Sequence, residues 1–166
     1  MEDPDEIGPL LAARLRALRA ERGLTLEELA TRAGVGRSTI SLIERAEASP
    51  TAAVLNRLAT GLGVTLASLF EPTEAAPSPL ARRADQPAWR DPLTGYLRRA
   101  LSPPGSAGRL ELVEVELEAG ARVAFDGGLG SVVQQVWLIE GSLEVRSGAD
   151  RHRLEAGDCL AMRIDR

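Results

Sequence analysis

Arg37, Ser38, Thr39 and Ser41 bring one forked cation and three hydroxyls into a stretch of five residues. A guanidinium offers rigid paired donors that match O6 and N7 of guanine, or two oxygens of a phosphate. Hydroxyls near a helix start either cap the helix or meet a ligand. Such a set can read a nucleic acid only if a rigid element presents it, and the neighbouring residues supply one. Thr25 followed by Glu28 is a capping box, which predicts a helix starting at Leu26. Leu26, Leu29, Ala30 and Ala33 repeat at helical spacing and form one apolar face. Gly34 can take the left-handed conformation that stops this helix at a tight corner, and Val35 plugs the bend. The next helix carries Ile40 and Ile43 inward. That leaves Arg37, Ser38, Thr39 and Ser41 outward or near its N-terminus, where phosphate is favoured. Residues 24–46 therefore read as a helix-turn-helix, the unit that sets one short helix in the DNA major groove.

The flanks extend this unit to five helices. Gly8-Pro9 opens a first helix with Leu11, Leu15 and Leu18 inside. Ser49-Pro50 opens a fourth, with Val54, Leu55, Leu58 and Leu62 inside, and Thr65 caps a last short helix holding Leu66, Leu69 and Phe70. Residues 10–70 carry eight Arg and five Glu, a balance of +3, whereas residues 109–166 carry seven Arg and eleven acids, a balance of -4. The basic charge sits where the motif sits, although the whole chain is at -4. The acidic half repels DNA and keeps non-specific binding weak. All 20 basic residues are arginine, which reads mainly as codon usage.

Residues 10–70 resemble the XRE, or lambda-repressor-like, helix-turn-helix family. The resemblance is carried by Arg16-x-x-Arg19, Gly23-Leu24-Thr25, Leu29-Ala30, Gly34-Val35, Ile40-Ser41, Ile43-Glu44, Ser49-Pro50-Thr51, Leu58-Ala59 and Leu62-Gly63-Val64. It implies double-stranded DNA as partner, bound at a palindromic operator by a homodimer. It also implies a buried ion pair between Arg19 and Glu44 rather than DNA contacts for those two. Arg37 is the expected base reader, and Arg16, Arg45 and Arg57 are candidate phosphate contacts. The family often places Gln at the start of its second helix, where this chain has Leu26 and Glu27, so the phosphate clamp is expected to lean on arginine.

Residues 71–92, with five prolines, read as a semi-extended linker. Trp89 and Tyr96 are expected to dock on the C-terminal domain. From residue 109 the period changes to two. Val113, Val115 and Leu117 alternate with glutamates as a half-buried strand, and Arg122–Phe125 continues past Gly120. Residues 132–139 predict a strong strand that turns at Glu140-Gly141 into an antiparallel partner holding Leu143 and Val145. Short strands at this spacing indicate a sandwich or barrel. Val136–Val145 and the later Leu154-Glu155-Ala156-Gly157-Asp158 resemble the cupin family, a small jelly-roll barrel. The expected architecture is an all-α helix-turn-helix domain (8–70), a linker (71–92) and an all-β cupin-like barrel (93–166). That barrel is either abbreviated or completed by a partner subunit.

The cupin resemblance implies a cavity, and Phe125, Gln134, Val136, Trp137 and Met162 are candidates to line it for a small-molecule effector. Metal-binding cupins use His and Glu ligands, but the matching places fall near Asp126, Gly128 and Gln134, and His152 is the only histidine. No metal, no cofactor and no catalytic residue are therefore expected. His152 reads as a surface strand residue, Asp126 and Asp158 as turn residues, and Cys159 as an inert buried thiol. No run of eighteen apolar residues occurs and the N-terminus is acidic, so no membrane partner is expected and the location is read as cytoplasmic. Two alternatives remain. One is a cupin-type oxygenase, isomerase or epoxidase using its helix-turn-helix for assembly, which stoichiometric metal would favour. The other is an antitoxin-like module that binds DNA and a protein, which a neighbouring toxin gene would favour.

Overall fold

The computed structural model describes residues 7–71, 78–103, 110–125 and 132–164. The chain divides into two units, residues 1–126 and 127–166. This division falls well past the expected linker, because the segment after it joins the helical unit.

Four α-helices open the first unit: α1 (Ile7–Glu21), α2 (Leu26–Ala33), α3 (Arg37–Glu44) and α4 (Ala52–Leu62). The Thr25 hydroxyl accepts from the Glu28 amide while the Glu28 carboxylate accepts from the Thr25 amide, so the capping box starts α2 at Leu26. Gly34 ends it at φ 62°, and its amide donates to Ala30 O. Thr51, rather than Ser49, caps α4 by accepting from the Val54 amide. The expected fifth α-helix is a single 3-10 turn, Ala67–Phe70, with Thr65 accepting from the Ser68 amide. Leu11, Leu15, Leu29, Ile40, Ile43, Leu55, Leu58 and Leu69 are wholly buried and form one core. Gly61 lets α4 touch α2, since a Cβ there would lie 2.9 Å from the Ala33 Cβ.

The expected linker carries structure. Arg83–Asp85 is a 3-10 turn, and β1 (Ala88–Arg90) pairs antiparallel with β2 (Leu97–Ala100), which pairs antiparallel with β3 (Val113–Glu116). Trp89 and Tyr96 belong to the helical core and not to the C-terminal strands. Trp89 lies 6.0 Å, centroid to centroid, from Phe70 at the end of the 3-10 turn, and Tyr96 meets Trp89 edge-on at 6.3 Å. Arg98 is 6 % exposed and lies over the Phe70 ring at 5.1 Å. Burial pushes its guanidinium below the ordinary range and pushes the Tyr96 phenol up. In β3 the expected apolar face is not inward. Val115 and Leu117 are exposed, and Arg122–Phe125 forms no strand.

The second unit holds β4 (Val132–Trp137), β5 (Ser142–Ser147), β6 (Asp150–Glu155) and β7 (Cys159–Ile164). β5 and β6 form a hairpin turned at Gly148, φ 59°. β4 pairs with β7 and not with β5, so the turn at Glu140-Gly141 leads away from β4 rather than back along it. A corner at Gly157 joins β6 to β7. Its amide donates to Leu138 O, and the Asp158 carboxylate accepts from the Glu155 amide. Among the described residues these are two open strand pairs with no closed barrel. Asp126 and Gly128 lie outside the described residues.

Candidate nucleic-acid interface

α3 presents two unlike faces. Ile40 and Ile43 are buried against the core, whereas Arg37, Ser38 and Thr39 are exposed at its first turn. Gly36 stands at the N-cap and offers no side chain to the first amides of the helix. Those amides therefore point out of the same end as Arg37, an arrangement suited to anionic oxygens. Arg37 Nε lies 3.8 Å from Glu27 Oε2, with both side chains largely in solvent.

The far end of α3 is held more tightly. Arg45 forks onto Glu47 at 2.8 and 2.7 Å and also donates to the Ser41 hydroxyl. Those hydrogen bonds raise the Arg45 pKa and lower that of Glu47. Ser41 is half-buried, so it backs Arg45 more than it faces outward. Arg16 donates to Glu44 O, which ties α1 to the last turn of α3. Arg19 Nε and Nη2 donate to the two Glu44 carboxylate oxygens at 2.7 and 2.8 Å, and its Nη1 donates to Leu24 O at 2.9 Å. The Glu44 hydrogen bonds raise the Arg19 pKa. This is the ion pair that the family resemblance implied, and it fixes α3 against α1. Arg57 stands away from this end. With Arg32, Gly34 and Thr60 it lines an open cleft of about 300 Å³ between α2 and α4.

The structure thus brings Arg37, Ser38 and Thr39 to one exposed helix start, and Arg16, Ser41 and Arg45 to the other end of α3. Sequence reasoning missed Glu47, whose only signal is its place two residues after Arg45. It also missed Asp91, although Asp91-Pro92-Leu93-Thr94-Gly95 carries turn chemistry.

The expected effector residues are divided. Gln134, Val136 and Met162 share one face of the β4–β7 pair, with Gln134 opposite Met162. Gln134, expected to line a cavity, is exposed, because no second layer covers it within the described residues. Trp137 points from the other face and is 66 % exposed. Phe125 lies in the first unit, edge-on to Tyr96 at 6.1 Å. Cys159 is exposed rather than buried, and His152 is an exposed strand residue as expected. No helix among the described residues is long and apolar enough to cross a membrane.

Comparison with known proteins places these features in a wider set. Residues 15–69 match the helix-turn-helix family HTH_3. The HTH-type transcriptional regulator SutR of Escherichia coli (strain K12) is 26% identical over 162 residues, covering 97% of this chain and 86% of that protein. The HTH-type transcriptional regulator y4dJ of Sinorhizobium fredii is 38% identical over 68 residues, covering 41% of this chain and 88% of the relative. The crystal structure of an HTH_3 family transcriptional regulator from Vibrio cholerae superposes with a TM-score of 0.75 at 25% identity, covering 98% of this chain and 88% of that one. The likeness therefore runs through the β-rich part as well as the helices.

Proposed function

The chain belongs to the helix-turn-helix family, and we propose that it is a transcriptional regulator that reads DNA sequence with α3. One observation carries this reading. α3 is pinned on its inner side by Ile40, Ile43 and the Arg19–Glu44 fork, while its open N-terminus presents Arg37, Ser38 and Thr39 to solvent. A rigid helix with a forked donor at its exposed start fits the major groove, where base edges carry a distinguishable pattern. Arg37 reads a guanine, Ser38 and Thr39 serve neighbouring bases or phosphates, and Arg16 and Arg45 meet the backbone, with Ser41 backing Arg45.

The operator is a palindrome bound by a homodimer, and the β-rich unit supplies the dimer contact. Support comes from β4 and the residues after it: Val133 and Trp137 share one strand face with Gln135 between them, Ile139 follows beyond the strand end, and the three apolar side chains are 66–71 % exposed. Bare apolar rows of this kind mark interaction surfaces. The effector is a small molecule held without metal near Gln134, Val136 and Met162. This part rests on the cupin resemblance and on the two open strand pairs, which a second copy would close.

The deciding experiment is selection of bound duplexes from a random library at fixed physiological salt. An enriched palindrome is the expected result. Binding that is only salt-sensitive, with no enriched sequence, overturns the reading and leaves the helix-turn-helix as an assembly element.

A further inference from the structure

The loop from Arg45 to Thr51 follows α3 and lies beside the proposed phosphate contacts. Its first end is anchored by α1 through Arg16 and Arg19 on Glu44. Within it Ala46 is held at φ 56°, a left-handed conformation that an L side chain adopts only at a cost. Such a backbone persists only when its surroundings over-determine it. The second anchor does not come from the helices. Asp91, 2 % exposed at the tip of the β1–β2 hairpin, accepts from the Ala52 amide at 3.2 Å and from the Leu93 amide at 2.8 Å. Ala52 is the first residue of α4, so its amide has no partner inside the helix. A carboxylate there also meets the positive end of the helix dipole. The hairpin is seated by Trp89 and Arg98 against Phe70, with Tyr96 edge-on to Trp89. Its seat is incompletely satisfied, since the Trp89 indole N–H is buried without an acceptor among the described residues.

We propose that Asp91 is a positioning residue for DNA binding: by capping α4 from the hairpin it fixes the Arg45–Thr51 loop, so the interface is complete only while the hairpin is seated. This rests on the DNA reading above. The segment once read as linker then becomes part of the DNA-binding domain. A displacement of the hairpin would reach the start of α4 through the Asp91 carboxylate.

The test compares full-length Asp91→Ala, Asp91→Asn and wild type on the duplex enriched by selection. Ala13→Gly, an exposed lesion in the middle of α1, controls for lost helix stability. Asp91→Ala should bind about tenfold more weakly than wild type, the weight of one lost cap. Asp91→Asn, which keeps an acceptor, should fall between the two. The Ala52 amide should lose its protection from hydrogen exchange in Asp91→Ala and keep it in Ala13→Gly. If Asp91→Ala does not fold, Asp91→Asn decides by the same two readouts. Affinity within twofold of the Ala13→Gly control, or an unchanged Ala52 amide, overturns the proposal and leaves the DNA reading standing. If wild type enriches no duplex, the DNA reading falls and this proposal falls with it.

Discussion

Arg37 is anchored only loosely, as the proposed role of base reader requires of a side chain that must change partners. Its contact with Glu27 is 3.8 Å long and solvent-exposed, so it contributes little to stability and yields readily to a base. Arg37→Ala should therefore weaken binding to the selected duplex by about 1–3 kcal/mol and relax one base position, with the melting temperature nearly unchanged. Unaltered base preference in a repeat selection would remove Arg37 from the interface. Glu44 is the opposite case. Its side chain is 6 % exposed and both carboxylate oxygens are taken by Arg19. Glu44→Ala leaves the half-buried Arg19 guanidinium with only Leu24 O as partner, at a cost of up to about 3 kcal/mol in denaturant unfolding. A loss below about 1 kcal/mol, the range of exposed pairs, would show that the pair is solvated. The exposed place of Arg37 was legible from the turn before it, and the Arg19–Glu44 pair from the family resemblance. Glu47 was not, because the fork on Arg45 depends on how the backbone bends after Ala46.

Elements set by short-range rules were legible, and those set by distant pairing were not. The caps at Thr25 and Gly34 and the spacing of leucines fix α1 to α4 within a few residues of chain. The period placed β3 and β4 along the chain, but it missed β1 and β2 and gave β4 the wrong partner, since β4 passes over its neighbour β5 to pair with β7. The capping box of α2 has a pH signature. Hydrogen bonds from the Thr25 amide and hydroxyl hold the Glu28 carboxyl below its ordinary value. A depressed carboxylate contributes stability above its unfolded pKa and loses it as pH falls through the folded one. Glu28→Gln, which removes the titrating carboxyl, should lower the melting temperature at neutral pH and flatten its decline on acidification, and parallel acid melts of the two proteins would settle the matter. Gly61 gives a sharper test of α4 against α2. Ordinarily Gly→Ala inside a helix gains about 1 kcal/mol. Here the new Cβ would lie 2.9 Å from the Ala33 Cβ and 3.0 Å from its backbone nitrogen, and backbone cannot give way cheaply. Overpacking costs about 1–3 kcal/mol and reverses the gain. Gly61→Ala should be net destabilising in urea, and a stabilised variant would mean that the two helices are free to part.

At the scale of the whole molecule, the two units differ in how well each buries its own apolar residues. The helical unit encloses one continuous core from Ile7 to Tyr96. In the second unit Leu154 is the one buried apolar residue among those described, while Val133, Trp137 and Ile139 stand in solvent. Four strands in two open pairs are too few to cover themselves, since an isolated hairpin is marginal in water. A second copy laid against the β4 face would bury that row and bring two DNA heads into one particle, as a palindrome requires. Trp137 is the largest side chain of the row and its natural anchor, because interface energy concentrates in aromatic residues. Trp137→Ser should shift the sedimentation equilibrium from dimer toward monomer and weaken binding to the full palindrome. The helical unit, with its own core, should melt as before, and binding to a single half-site should be unchanged. A wild-type chain that sediments as a monomer at tens of micromolar, or a Trp137→Ser dimer as tight as wild type, would place the pairing surface elsewhere.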